Sequence, residues 1–158
     1  MIAQSSQATM YYNFARTYGR AGNTGKSLDY LFRAFNTGIS PPEKFERDES
    51  FETLRNVPEF INLLESLRLV SEASLLDMTG ASLEAEESLR NSALLSPGYA
   101  YPHYLLARHY ALRGLGEESL EHLKKAVSLG FKNFCMIMAE EAFEGLRARP
   151  EFQRLLKN

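Results

Sequence analysis

The sequence is poor in the residues that mark several large classes of protein. Its 158 residues include a single cysteine, Cys135, which excludes an intramolecular disulfide framework and a zinc site built from several cysteines. The 18 Lys and Arg nearly balance the 20 Asp and Glu, so the charge implies neither nucleic acid nor an anionic membrane as a partner. There is no apolar run of about 18 residues that could span a bilayer.

Residues 1–7 carry no positive side chain and no long apolar core, so they do not form an intact signal peptide. The cytoplasm is therefore the favoured location, while a leader removed before residue 1 and a periplasmic location stay open.

β-Branched residues are also scarce, and this predicts the fold class. Val, Ile and Thr total 13 residues, against 39 for Leu and Ala, and there are 17 Glu against 3 Asp. Alanine and straight-chain residues lose little rotamer freedom in a helix, whereas β-branched residues favour strands. The composition therefore predicts an all-α protein.

The chain contains an internal duplication. Residues 11–65 align without a gap on residues 103–157, at an offset of 92 positions, and 20 of the 55 aligned residues are identical. Such an excess over chance indicates two copies of one structural unit, and a repeat with this period decides the architecture.

Each copy begins with two amphipathic helical patterns that break at a glycine, Gly22 in the first copy and Gly114 in the second. A third helix pair lies between the copies and breaks at Gly80. The predicted repeats are 8–41, 66–99 and 100–133. Residues such as Ala15 and Ser27 are expected where two helix axes approach closely, because only small side chains fit there.

Two further segments, 42–65 and 134–158, share the pattern Glu-x-Phe-Glu-x-Leu-Arg-x-x-Pro-Glu-Phe-x-x-Leu-Leu, which starts at Glu49 and at Glu141. A proline in the first helical turn followed by Phe and two Leu predicts a short amphipathic helix over the open end of a helix stack. Because no helix breaker separates Pro58 from about Met78, the first of these cap segments is expected to continue into the second repeat as one long helix.

Large and small apolar residues recur at the same spacing in the three repeats. They are Tyr11, Phe14, Ala15, Tyr18, Ser27, Leu31, Ala34 and Ile39; Leu69, Ala73, Leu76, Ala85, Leu89 and Ser92; and His103, Leu106, Ala107, Tyr110, Ser119, Leu123, Ala126 and Phe131. This spacing resembles the 34-residue pattern of the tetratricopeptide repeat family. Glu72 departs from the family pattern, and the proline of that pattern is present only as Pro97. The cap segments resemble a tail that follows the last repeat in many bacterial members.

The resemblance implies one domain over 1–158, an α-solenoid of three helix pairs with two cap segments. It also implies a protein–protein interaction scaffold that holds a peptide or a partner helix on the concave face, not an enzyme, and without a cofactor. Two alternatives stay open: an accessory or regulatory domain of a larger bacterial enzyme, and an assembly protein that associates with itself.

Two pairs of residues are candidates for partner binding. Tyr12 and Arg16 are spaced i,i+4, and the pair recurs as Tyr104 and Arg108. By resemblance, the first helix of each repeat lines the concave face. A guanidinium offers a planar set of donors and a tyrosine offers a ring and a hydroxyl, so the expected partner carries carboxylates or free carbonyls.

A second candidate surface lies where the copies differ, since Phe134, Met136, Ile137 and Met138 align with Pro42, Lys44, Phe45 and Glu46. These apolar residues either fold onto the last repeat or form an association patch for a second chain.

No catalytic or metal-binding motif is readable in the sequence. The three histidines, His103, His109 and His122, have no i,i+4 partner and no HExxH context, so no metal site is expected. Glu86–Glu87 and Glu140–Glu141 are expected to be solvated, because adjacent residues on a helix diverge.

Overall fold

The computed structural model describes residues 2–37 and 45–157, and within these ranges all regular secondary structure is helical, with turns and short loops between the helices. This confirms the all-α prediction for the part of the chain described. The α-helices are α1 (Ile2–Arg20), α2 (Thr24–Phe35), α3 (Pro58–Thr79), α4 (Ser82–Leu95), α5 (Tyr101–Leu112), α6 (Gly116–Ser128), α7 (Phe134–Ala139) and α8 (Pro150–Leu155). Three 3₁₀ helices complete the description: η1 (Phe45–Arg47), η2 (Glu49–Leu54) and η3 (Glu141–Leu146).

The six long helices pack as three consecutive pairs, α1 on α2, α3 on α4 and α5 on α6. Each pair turns at a glycine with a left-handed φ, 72° at Gly22, 83° at Gly80 and 74° at Gly114. Residues other than glycine rarely adopt this backbone conformation. The helix breaks predicted at these three glycines are therefore observed, and the positive φ explains them. Helix α4 also packs on α5, which joins the second pair to the third.

Small buried residues lie where the helices of a pair cross. Ser27 of α2 donates a hydrogen bond of 2.8 Å to the carbonyl of Ala15 on α1, and Ser119 of α6 donates one of 2.7 Å to the carbonyl of Ala107 on α5. All four residues are completely buried. A side-chain donor reaches the backbone of the facing helix only where the two axes are close, which is the close approach that the sequence predicts.

One helix start differs from the sequence prediction, and one predicted repeat boundary lies inside a helix. Helix α1 begins at Ile2, earlier than the predicted repeat start at residue 8. Helix α3 runs without interruption from Pro58 to Thr79, as expected from the absence of a breaker, so the predicted boundary between residues 65 and 66 lies inside one helix. Residues 38–44, which include the end of the first predicted repeat and the start of its cap segment, lie outside the described residues.

The apolar side chains form two core clusters. The first joins the first two pairs to one side of α5, and its centre holds the aromatic rings of Phe45, Phe51 and Phe60. The second lies between the third pair and its own cap, where Phe131 and Phe143 pack on Tyr104.

A buried amide connects the first helix pair to the third. The Asn36 side chain donates to the carbonyls of Gly98 and Leu129, at 2.9 and 3.0 Å, and accepts from the backbone N–H of Ala100 at 2.7 Å. Since Asn36 directly follows α2, these bonds fix the end of the first pair against the loops that flank α5 and α6.

Ala107→Leu is expected to lower the free energy of unfolding by about 1–3 kcal/mol, because a larger side chain overpacks the crossing of α5 and α6. Ala15→Leu is expected to behave in the same way at the crossing of α1 and α2. Urea unfolding measures both, with Ala139→Leu as the control because Ala139 is exposed. Unfolding midpoints equal to that of the parent for both buried variants would contradict the crossing geometry.

Candidate partner-binding site

Tyr12 and Arg16 converge on a carboxylate of their own chain. The Arg16 Nε lies 3.0 Å from Asp48 Oδ2, and the Tyr12 hydroxyl donates to the same oxygen at 3.2 Å. Both side chains project from one face of α1 because they are four residues apart. Asp48 directly precedes η2, where its Oδ1 accepts from the backbone N–H of Ser50 at 2.9 Å.

The second copy repeats this cluster at each of the three positions, 92 residues later. The Arg108 Nε lies 3.1 Å from Glu140 Oε2, and the Tyr104 hydroxyl donates to that oxygen at 3.3 Å. Glu140 directly precedes η3, as Asp48 precedes η2. We call each set of three residues a Tyr–Arg–carboxylate cluster. In each copy it ties the first helix of a pair to the start of the cap segment.

The electrostatics of the two clusters follow from partial burial. Burial alone would raise the pKa of Asp48, but hydrogen bonds from Ser50 and the nearby Arg16 guanidinium outweigh it, so the pKa lies below its usual value. Burial and the adjacent carboxylate raise the pKa values of Tyr12 and Tyr104 well above the usual range. The two tyrosines therefore stay protonated hydrogen-bond donors.

These contacts change what the four predicted residues offer to a partner. The carboxylate that the sequence analysis expects from a partner is supplied by Asp48 or Glu140, and Tyr104 is completely buried. Arg16 and Arg108 keep 38% of their side-chain surface exposed. In the second copy the guanidinium is therefore the accessible part of the pair, whereas in the first copy Tyr12 also stays partly exposed.

Arg108 lines a groove of about 350 Å³ between α3 and α5. Its walls include Leu105 of α5 and Ser74, Asp77 and Met78 of α3. Met78 is the most exposed large apolar residue of the described chain, at 84%. The groove therefore combines apolar side chains with one cation and one carboxylate.

The 3₁₀ helix η2 packs directly against the end of α1. A Cβ added to Gly19 would lie 2.2 Å from the carbonyl oxygen of Ser50, so only glycine fits there. Arg20 Nε donates to the Ser50 hydroxyl at 3.0 Å and Thr53 donates to the Gly19 carbonyl at 3.0 Å, which holds the two elements in contact. The second copy has Ala111 at the equivalent position, so η3 leaves room for a methyl group.

The four residues of the predicted association patch lie in different environments. Ile137 is completely buried in the second core, as Phe45 is in the first, so Ile137 belongs to the core and not to a surface. Phe134 and Met136 pack partly against the same core. Met138 is 47% exposed, at the position where the first copy has Glu46, which pairs with Arg68 at 3.3 Å. The segment thus mainly covers the third helix pair.

Glu86 is the centre of a polar network that the sequence pattern does not predict, and the expectation that Glu86 is solvated is wrong. Its side chain is only 14% exposed and accepts hydrogen bonds from Tyr110 at 2.6 Å, Arg90 at 3.0 Å and Arg113 at 2.7 Å. Burial would raise the pKa of Glu86, but these donors hold it below its usual value. The network joins α4 to α5. Its only sequence signal is the i,i+4 spacing of Glu86 and Arg90.

Glu140 is the second acid whose expected solvation is wrong, since it is 23% exposed and holds Arg108. The signal available for it was the duplication itself, because an acid precedes the shared cap pattern in both copies.

His103 and His122 also come together, on the facing helices α5 and α6, with 3.0 Å between their Nδ1 atoms. Burial, the neighbouring His122 and Lys125 lower the pKa of His103 to about 4, and burial together with Arg90 lowers the pKa of His122. Both imidazoles are therefore neutral near pH 7.

Within the described ranges there is no group of three or more His, Cys, Asp or Glu side chains that could hold a metal ion. Over the same part of the chain, no helix is long and apolar enough to cross a membrane.

Gly19→Ala is expected to destabilise the chain by about 1–3 kcal/mol, because the new methyl group clashes with the backbone of η2. In a helix interior without this contact, the same change stabilises by about 0.5–1 kcal/mol. Gly25→Ala in the first turn of α2 is the control for replacing a helical glycine where there is space, since a Cβ there meets nothing within 4 Å. Chemical denaturation of both variants measures the difference. Equal effects of the two substitutions would show that η2 does not lie against α1.

The histidine pair predicts a pH dependence of stability. The pKa of His103 is about 4 in the folded chain and about 6.5 when unfolded, so the unfolded state binds more protons between these values. The contribution of His103 to the free energy of unfolding should therefore be constant above pH 6.5, and the free energy of unfolding should fall as the pH decreases towards 4. The double variant His103→Tyr/His122→Tyr, which restores the residues of the first copy, should show a flatter profile in this window. Parallel profiles would contradict the buried pair.

No protein-family model, no curated protein and no solved structure matches this chain. The resemblance to tetratricopeptide repeats therefore depends on the residues given above, and it stays a prediction.

Proposed function

We propose that this chain is a protein–protein interaction module of the tetratricopeptide type. The observation that carries the proposal is the groove between α3 and α5, where Met78 is 84% exposed beside Leu105 and the accessible guanidinium of Arg108. Large exposed apolar side chains beside fixed charges are typical of surfaces that bind another protein. The three helix pairs and their small crossing residues support the assignment to this type.

The chemistry of the groove indicates what it binds. The apolar walls fit an apolar side chain, the Arg108 guanidinium donates hydrogen bonds to a carboxylate or carbonyl oxygen, and the Asp77 carboxylate accepts a hydrogen bond from a donor. The Arg108 guanidinium is held in place by Glu140, so little side-chain entropy is lost when a ligand binds to it. The proposed ligand is a segment of a partner protein, extended or helical, with an apolar residue next to an acidic one.

Selection from a library of random peptides on the immobilised chain tests the proposal. The selected peptides should combine an acidic and an apolar residue, and Met78→Glu should abolish their binding in fluorescence polarisation. Leu94→Glu is the control, because Leu94 is 77% exposed but lies on α4 outside this groove. Failure to enrich any peptide, or equal binding to parent and Met78→Glu, would contradict the proposal.

The two arginines should differ in their effect on such a peptide. Arg108→Ala is expected to weaken binding by about fivefold or more, since a charge-assisted hydrogen bond contributes about 1–3 kcal/mol when water is excluded. Arg16→Ala removes the equivalent guanidinium of the first copy and is the matched comparison. If only Arg108→Ala lowers the affinity, the ligand lies in the groove between α3 and α5. If both variants lower the affinity equally, one groove is shared by the two copies. If neither variant changes the dissociation constant, the proposed role of the two guanidiniums is wrong.

A further inference from the structure

Two clefts of similar size occupy equivalent positions in the two copies. The one beside α6, which we call the α6 cleft, measures about 500 Å³ and is lined by His103, Glu121, His122, Lys124, Lys125 and Ser128. The residues 92 positions earlier are Tyr11, Asp29, Tyr30, Phe32, Arg33 and Asn36. All of them except Tyr30 line a cleft of about 530 Å³ beside α2, which we call the α2 cleft.

Polypeptide of the same chain closes the α2 cleft. The loop before α5 and the segment after α6 form its far wall, through residues such as Gly98 and Leu129. The Asn36 side chain binds the backbone of both segments, with hydrogen bonds of 2.7–3.0 Å at Gly98, Ala100 and Leu129. A Cβ added to Gly98 would lie 3.5 Å from the Phe32 ring, so this ring also contacts the loop. The duplicated unit therefore uses this face of its second helix to hold polypeptide.

The α6 cleft lies open at the same face. Lys124 and Ser128 are exposed, whereas their counterparts Phe32 and Asn36 are half-buried and buried. The lining of the α6 cleft comes from α5 and α6 alone, and no other described segment forms a wall like the one that Asn36 binds.

The exchanges between the copies make the open face more basic. Lys124 replaces Phe32, and Lys125 keeps the positive charge of Arg33. Arg33 is paired with Asp29 at 2.9 Å, whereas no acid in the described part of the chain forms an ion pair with Lys124 or Lys125. Both ammonium groups are therefore available to a ligand of opposite charge.

The two imidazoles add a neutral hydrogen-bond donor beside the lysines. The Nδ1 atoms of His103 and His122 are 3.0 Å apart, so one neutral ring donates to the other. The accepting ring then carries its hydrogen on Nε2, an N–H that this contact does not use. Lys125 is close enough to lower the pKa of His103, which places its ammonium group beside the pair.

We infer that the α6 cleft is a docking site for an acidic segment of a partner protein. Carboxylates of that segment form charge-assisted hydrogen bonds with Lys124 and Lys125, and the imidazole N–H donates to a further carboxylate or carbonyl oxygen. Polypeptide is the expected occupant because the equivalent α2 cleft holds polypeptide backbone. An acidic sequence is expected because the exchanges add positive charge to the face. The near-balance of charge over the whole chain gives no general attraction for nucleic acid.

Fluorescence polarisation with fluorescein-labelled deca-glutamate tests the site. The parent should bind this probe with saturation. Lys124→Glu/Lys125→Glu should weaken binding by about tenfold or more, because like charges then face the carboxylates. The control Arg55→Glu/Lys157→Glu makes the same change in net charge at exposed residues outside the cleft. At about 0.1 M salt distant charges are screened, so the control should keep the parent's affinity within about twofold.

Two further variants make the test specific to the α6 cleft. Lys124→Phe installs the residue of the first copy and should weaken binding by about threefold, since it removes one exposed charge. Arg108→Ala alters the groove between α3 and α5 and should leave the affinity for the probe unchanged. Circular dichroism establishes that each variant is folded.

Four results would overturn the inference. They are absence of binding to the parent, equal losses in the two charge-reversal variants, a greater loss with Arg108→Ala than with Lys124→Glu/Lys125→Glu, and tighter binding of labelled oligothymidylate than of deca-glutamate. The last result would assign the cleft to nucleic acid.

Discussion

The close approach of paired helices at small side chains is the constraint on which the rest of the structure depends. At the crossings of α1 with α2 and of α5 with α6, a serine hydroxyl reaches the backbone carbonyl of a buried alanine. The middle pair has Ala73 and Ala85 buried at the corresponding repeat positions. Close crossings bring the larger apolar side chains of both helices into contact, and these form the two cores. One end of the helix pair in each copy stays open, and the cap segment of that copy covers it.

The same constraint explains why the duplicated polar residues act within the chain. A cap that lies against α1 or α5 brings a carboxylate next to the guanidinium of that helix, so each copy forms a Tyr–Arg–carboxylate cluster. The clusters orient Arg16 and Arg108 before any partner arrives. The groove proposed to bind a partner is lined by such a preoriented guanidinium, that of Arg108.

The sequence predicts the local features well, because they depend on spacing along the chain. The breaks at Gly22, Gly80 and Gly114, the uninterrupted α3 and the burial of Ala15 and Ala107 all follow from period and residue size. Contacts between distant residues were not predictable in this way. Arg16 with Asp48 and Glu86 with Arg113 meet only once the elements are packed. The duplication nevertheless carried unused information, since the exchange of Tyr11 and Tyr30 for two histidines is visible in the aligned copies.

The central claim is that the two copies cross their helices at equivalent small residues, and cysteine cross-linking measures this most directly. In a Cys135→Ser background, oxidative refolding of Ala15→Cys/Ser27→Cys and of Ala107→Cys/Ser119→Cys is followed by mass spectrometry. A disulfide needs Cα atoms about 4.4–6.8 Å apart, so only a close crossing permits it. The account predicts an intramolecular disulfide in both variants and none in the mixed variant Ala15→Cys/Ser119→Cys. Free thiols in either matched pair, or a disulfide in the mixed one, would contradict it.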